Sequence, residues 1–469
     1  MTRLRSRVPT VLVTLTCLGF VGCTVGPNYR RPLVDVPPAF RGEAPTPSSA
    51  NTASEADESW TEVFTDEALQ SLIRTALVQN ADVRVAAARI LEAQAQLGIT
   101  RADQFPTVTA GVDVLGERPS VALGFPPENV LAFQLQGSLS WELDFWGRFR
   151  RATEGARAQL LASEWGRRAV VTTLVSQVAD AYFGLRALDL ELDIARRTLV
   201  SRDESLRLTQ VREQGGATSL LDVRQAEQLV YGAKTEIANL ERQIAQQENF
   251  IQVLLGQNPG SVDRGLPLGE QPHSPDVPVG LPSTLLVRRP DIQQSEYQLV
   301  AANAQIGVAR AAYFPDIPLT GSGGFESTAL TSLFAGSNLI WSAAVGATQP
   351  LFTAGRTRSQ VALAKARYEE AVVSYQQTIR QAFREVADAL VAYTKLRESR
   401  TQLVLLVASA QDARRLADIR YQGGATSYLE VLDADTRLFD AELTLAETQL
   451  SELSSFVEIY RALGGGWQP

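Results

Sequence analysis

Few side chains in these 469 residues have the type and spacing for covalent or acid–base chemistry. The chain has one histidine, His273, inside a Pro- and Gly-containing stretch, and two cysteines, Cys17 and Cys23, close together near the N-terminus. A lone imidazole in a loop has no nucleophile at a fixed spacing to activate, and it reads as a solvated loop residue. Two neighbouring cysteines give no disulfide framework, and with a single methionine the composition leaves little material for a metal, a redox centre or any cofactor. Gly321, Gly323 and Gly324 lie in an alternating strand pattern, not in a strand–loop–helix phosphate cradle. What remains is the chemistry of charge and of exposed backbone. Glu430 and Asp433, three apart, fall on one face of a helix, where acids in a first turn also meet the helix dipole. Two turns, Gly215-Gly216-Ala217-Thr218 followed by Leu221 and Gly423-Gly424-Ala425-Thr426 followed by Leu429, combine paired glycines that permit positive φ with small side chains against which another helix can pack closely.

The elements that hold these turns are built twice. The sequence QGGATS at 214–219 recurs at 422–427, an offset of 208 shared by Gly147-Arg148 and Gly355-Arg356, and Phe105-Pro106 returns as Phe314-Pro315. A period this long marks a duplicated supersecondary unit, not a solenoid. Each half opens with a helix, over 66–102 and 282–312, closed by the Phe-Pro step. Alternating strands follow at 107–114 and 133–141, and again at 317–325 and 341–352, with small and polar residues on one face and apolar ones on the other. That alternation suits a barrel wall between lipid and water. Proline-free stretches over 147–214 and 355–422 then make helices of roughly 100 Å at 1.5 Å per residue. Leu174, Val178, Ala181, Leu185, Leu188, Leu192, Ala195 and Leu199 give the first a coiled-coil seam. Tyr375, Ile379, Ala382, Val386, Ala389, Tyr393 and Leu396 give the second. Helices of about half that length return from the two turns, over 219–255 and 428–463. Four strands cannot close a barrel, since single-chain barrels need about eight; three copies would supply twelve.

The N-terminus reads as an address. Arg3, Arg5 and Arg7 precede an apolar run from Val8 to Val21, the n- and h-regions of a signal peptide over 1–22. The Gly22-Cys23 step resembles a lipobox, so Cys23 is the expected site of lipidation. Thr24 after it favours the outer membrane. Residues 23–65 form a lipidated tether, 66–256 the first structural repeat, 257–282 a Pro/Gly-rich linker, and 283–469 the second repeat. Beyond residue 22 no run approaches the roughly 20 apolar residues of a spanning helix. A formal charge of −8 without a long basic cluster argues against nucleic acid as a partner.

Gly26-Pro27-Asn28-Tyr29, the run from Trp141 to Arg148 and the run from Gly280 to Ile292 resemble the TolC-like outer membrane efflux ducts in their lipoprotein, NodT-like branch, and the resemblance covers nearly the whole mature chain. It implies a mainly α fold with membrane β-structure: a homotrimeric twelve-stranded β-barrel in the outer membrane, continued by an α-helical coiled-coil tunnel across the periplasm. It implies a passive exit duct for drugs or other small toxic compounds, with a periplasmic adaptor and an inner-membrane pump as partners and no enzymatic activity. Gly215, Gly216, Ala217, Thr218, Leu221, Gly423, Gly424, Ala425, Thr426 and Leu429 would dock the adaptor. Glu430 and Asp433, with Tyr421, would form the tunnel constriction. Thr426 stands where well-known members carry a latch arginine, and Ser59 where many carry a tryptophan. Without the resemblance, the same elements also fit a periplasmic coiled-coil structural or adaptor lipoprotein with no pore.

Overall fold

The computed structural model describes residues 24–41, 54–118, 129–272, 278–280 and 282–467. The signal segment 1–22, Cys23 and His273 lie outside the described residues. The elements run α1 (Trp60–Val63), α2 (Glu67–Gln79), α3 (Ala81–Ala102), β1 (Thr107–Glu117), β2 (Val130–Glu142), α4 (Arg148–Gln214), α5 (Leu220–Leu254), α6 (Pro282–Arg288), α7 (Pro290–Ala311), β3 (Pro318–Ser327), β4 (Leu339–Val345), α8 (Arg356–Gln422) and α9 (Tyr428–Ala462). The duplication is visible in the lengths: α4 and α8 each have 67 residues, α5 and α9 each 35.

Two expected helices are each broken in two. Asn80 leaves the helical region at ψ 135° and caps α3, its Oδ1 accepting from the backbone N–H groups of Asp82 and Val83 at 2.8 and 3.2 Å. The second break falls at Arg289, because the ring of Pro290 crowds the residue before it out of the α region while its own fixed φ suits a first helical turn. Strands β1, β2 and β3 run longer than the alternation marks, whereas β4 stops at Val345, short of the expected 352. The stretch 257–282 is more than a linker: a 3-10 turn at Leu268–Glu270 buries Leu268, and Val262 is buried before it. In the tether, Phe40 is buried with its ring 6.4 Å from that of Phe383.

The chain forms two compact units that cut across the repeats. One comprises the described residues of Met1–Leu33, Ile90–Ser163 and Ser295–Tyr375; the other Val34–Arg89, Glu164–Gln294 and Gln376–Pro469. The first holds a single antiparallel sheet in the order β1-β2-β3-β4, so the two repeats meet at β2·β3. The second is helical, and its core lies along the heptad seams: Leu174, Val178, Leu185, Ile379, Ala382 and Val386 are each at most 4% exposed. Among the described residues no helix is long and apolar enough to cross a membrane.

Candidate functional site

In the helical unit the two turns have one geometry. Gly216 has φ +73° and Gly424 φ +74°, the left-handed conformation that closes a helix at its C′ position. At the first turn Ala217 N–H reaches back to Arg212 O at 2.8 Å and Gly216 N–H to Glu213 O at 2.9 Å; at the second, Ala425 reaches Arg420 and Gly424 reaches Tyr421 at 2.9 and 3.0 Å. These paired bonds are a Schellman motif. A Cβ at Gly216 or Gly424 would meet nothing within 4 Å, so φ, not space, is what the chain itself demands there. Leu220, Leu221 and Leu429 beside the turns are 55, 65 and 58% exposed.

Each turn passes into its return helix through a hydroxyl–carboxylate contact four residues apart, Thr218 to Asp222 and Thr426 to Glu430. Burial pushes the Asp222 carboxyl up, but hydrogen bonds from Thr218 and from the backbone and hydroxyl of Ser219 outweigh it and hold it below the usual range. Glu430 also lies 3.5 Å from Arg420, and Asp433 2.9 Å from Arg437. The side chains of Glu430 and Asp433 are 41 and 59% exposed, so both carboxylates remain at the surface of the single chain despite these partners. Tyr421 is instead buried, in a cluster with Ala226, Ala417, Tyr428 and Val431, its ring 5.4 Å from that of Tyr428.

Sequence reasoning missed Arg212 and Asp435. Arg212, in the last turn of α4, donates to Tyr421 O at 2.7 Å and lies 4.6 Å from the Tyr421 ring centroid, adding a second donor to the carbonyl that already accepts from Gly424 N–H at the end of α8. The available signal was a cation in a last turn; its partner, about 210 residues on, was invisible. Asp435 on α9 accepts from Arg202 of α4 at 2.7 Å and from Arg414 of α8 at 3.0 Å. Beside it, burial first and then the Asp435 charge push the Tyr428 hydroxyl up to about 12.

In the sheet unit the register sorts side chains by polarity. Asp113, Gln134 and Glu326 share one cross-strand row, and Thr109, Ser138 and Ser322 another; both lie on one face. Val112, Leu135 and Phe325 share a row on the other face, with Val114, Leu139, Trp341 and Val345. That apolar face is open: Val112 is 73% and Trp341 77% exposed. None of the four strands contains Lys or Arg. The segment after Cys23 is strapped to this unit. Val25 N–H donates to Trp146 O at 3.0 Å, Asn303 to Pro27 O at 3.0 Å, and Arg31 grips Glu296 with two bonds of 2.7 Å. Burial, then the neighbouring Glu296 charge, push the Tyr29 hydroxyl well above its ordinary range.

The family model described as "Outer membrane efflux protein" matches residues 72–257 and 281–465, one match for each repeat. The toluene efflux pump outer membrane protein TtgC of Pseudomonas putida is 38% identical over 463 residues, covering 97% of this chain and 96% of that protein. The cation efflux system protein CusC of Escherichia coli is 35% identical over 456 residues, covering 96 and 97%. The open-state crystal structure of the Neisseria gonorrhoeae MtrE outer membrane channel superposes with a TM-score of 0.85 at 32% identity, covering 95% of this chain and 99% of that one.

Proposed function

The chain belongs to the outer membrane efflux protein family, and we propose that three copies of it close a twelve-stranded β-barrel continued by a helical tunnel. Its function is that of the outer membrane channel of an efflux system, a passive exit duct and not an enzyme. The observation that carries the barrel is the two-faced sheet with both edges open: among the described residues β1 and β4 each pair on one side only. An open edge cannot stand in lipid, because unpaired N–H and C=O groups have no water to bond there. Strand addition between copies removes both edges and turns one face to lipid and the other to a water-filled lumen.

In this reading the unit after a 1–22 signal peptide is a tether, 23–65, anchored by lipid on Cys23, followed by structural repeats over 66–256 and 283–469 joined by 257–282. The strap from Thr24 to Arg31 supports the anchor, since it holds the residue next to Cys23 against the β2–α4 junction. A periplasmic adaptor docks on the two Schellman turns, where exposed glycine backbone and Leu221 and Leu429 lie together, and links the duct to an inner-membrane pump. Glu430 and Asp433 line the constriction. Tyr421 supports it from behind, in the core next to Arg212. One Met, one His and two Cys give the wall almost no soft donors, which favours organic toxic compounds over soft metal ions as cargo. Gel electrophoresis of detergent-extracted outer membrane tests the assembly: trimers that collapse to monomers on boiling are expected. A membrane-anchored monomer that forms no heat-sensitive trimer would instead support the pore-free lipoprotein.

A further inference from the structure

We propose that Asp180 and Glu191 form a proton-operated clasp between α4 and α9, which seats α9 while both carboxyls hold their protons and lets it shift once they ionise. Asp180 of α4 accepts a hydrogen bond from Ser454 of α9, and its Oδ1 is buried with no hydrogen-bond partner. A neutral carboxyl tolerates an unpaired buried oxygen far better than a carboxylate does. The cations nearby are committed elsewhere. Arg461 of α9 grips Glu458 through Nε at 2.8 Å and through Nη2, and lies 3.5 Å from Glu385 of α8. Arg289 bonds the same Glu385 at 2.8 Å, and Asp291 at 2.6 and 3.0 Å. Two guanidiniums thus already face three carboxylates, and Asp180 adds a fourth acid and no cation.

Eleven residues, close to three helical turns, carry the same face of α4 from Asp180 to Glu191. Leu192 and Ala195 of α4, Leu240 of α5 and Phe439 of α9 form an apolar cluster beside it. The charges that act on Glu191 among the described residues are Glu447 of α9 and Glu236 of α5, both acids. Burial first, then these two charges, push the Glu191 carboxyl up to about 7. Burial lifts the Asp180 carboxyl to about 7 as well, against the bond from Ser454. The duplication supplies an internal control. The offset of 208 places Asp388 and Ser399 of α8 at the positions of Asp180 and Glu191, and Asn239, Gln246 and Phe250 of α5 at those of Glu447, Ser454 and Glu458. The Asp388 side chain is 69% exposed, 3.7 Å from Arg384. The unit is thus built once without the buried acids, so helix packing does not require them. A carboxyl raised in the seated arrangement stabilises it in acid, and that contribution is lost as pH rises from the ordinary carboxylate range through about 7. Because α9 also carries Glu430 and Asp433 near its start, its shift reaches the constriction; only this coupling rests on the reading proposed above.

Amide hydrogen exchange of the detergent-solubilised protein reads the clasp. Each proton lost across a raised pKa weakens the seated arrangement by up to about ten-fold per pH unit. Protection over residues 445–460, corrected for the intrinsic pH dependence of exchange, should therefore fall at least about ten-fold between pH 5 and pH 8. In Asp180→Asn with Glu191→Gln, which keep the shape of the protonated acids, the fall should shrink to less than about two-fold. Constant protection in the parent protein would overturn the clasp without recourse to any variant, and an undiminished fall in the double variant would overturn it as well. Planar bilayers test the coupling to the constriction. The parent should conduct as the double variant does at pH 5 and more freely at pH 8. A clasp seen by exchange with no such difference in conductance would support the clasp and overturn the placing of Glu430 and Asp433 at the constriction.

Discussion

Replacing Asp435 by Asn should destabilise the helical unit by about 3 kcal/mol. The carboxylate is the shared acceptor of two guanidinium groups from different repeats, Arg202 at 2.7 Å and Arg414 at 3.0 Å, and the three side chains are 7 to 8% exposed. An amide keeps the shape but removes the charge, leaving two buried cations around a neutral group. Breaking a buried pair from one side costs about 3–5 kcal/mol. The lower end applies because Arg414 keeps Asp418, and Arg202 keeps Leu229 O at 3.2 Å and the Phe439 ring at 5.0 Å. For a chain of this size that loss corresponds to a fall of about 3 °C in the thermal midpoint, read by circular dichroism of the detergent-solubilised protein. Adding Arg202→Met to Asp435→Asn removes one orphaned cation and should recover part of the loss, a non-additivity of about 1 kcal/mol. A single variant melting within about 1 °C of the parent would show that the carboxylate does not hold the three helices together.

Burial raises the Asp180 carboxyl to about 7 against a hydrogen bond from Ser454, with Glu458 raising it further and Arg461 opposing. A raised acid is stabilising while protonated, so its contribution is present below pH 3.8 and lost as pH rises through about 7; a shift of that size bounds the loss at about 4 kcal/mol. Asp180→Asn should abolish that part of the decline in melting midpoint between pH 5 and 8, and an unchanged slope would refute it. At the turns, Gly216→Asn tolerates positive φ, whereas Gly216→Val strains it by about 1–2 kcal/mol or more and adds bulk. Efflux should survive the first and be lost in the second with trimers intact; the Gly424 substitutions should behave alike, and equal efflux in the Val variants would remove the turns from docking. In planar bilayers Glu430→Gln with Asp433→Asn should lose cation preference, and unchanged selectivity would place the constriction elsewhere.

Much of the architecture is legible because duplication repeats each signal. The unbroken runs between Gly147 and Gln214 and between Gly355 and Gln422 fix the long helices, and most heptad positions predicted to face inward are buried, whereas Leu188, Leu199 and Leu396 are half-buried. Strand ends are less legible: Leu351 and Phe352 continue the apolar pattern past Val345, but among the described residues no strand pairs with them. The break at Arg289 was readable from Pro290 and the one at Asn80 was not, since Asn80 is held out of the helix partly by a bond to Leu254 O at 2.9 Å, far along the chain. At the candidate site the glycines and acids are plain from their spacing. Arg212 against Tyr421 and Asp435 between two arginines depend on helices that meet only after folding, and i,i+4 logic cannot reach them.

The proposed duct is a passive exit through the outer membrane, driven from the inner membrane. The most direct test is the steady-state accumulation of a fluorescent toxic compound in cells where this chain is the only duct of its family, with and without its gene, adaptor and pump left intact. Deleting the gene should raise accumulation to the level reached by deleting the pump, and the intact gene supplied in trans should restore export. Unchanged accumulation on deletion, with pump and adaptor present, would contradict the account.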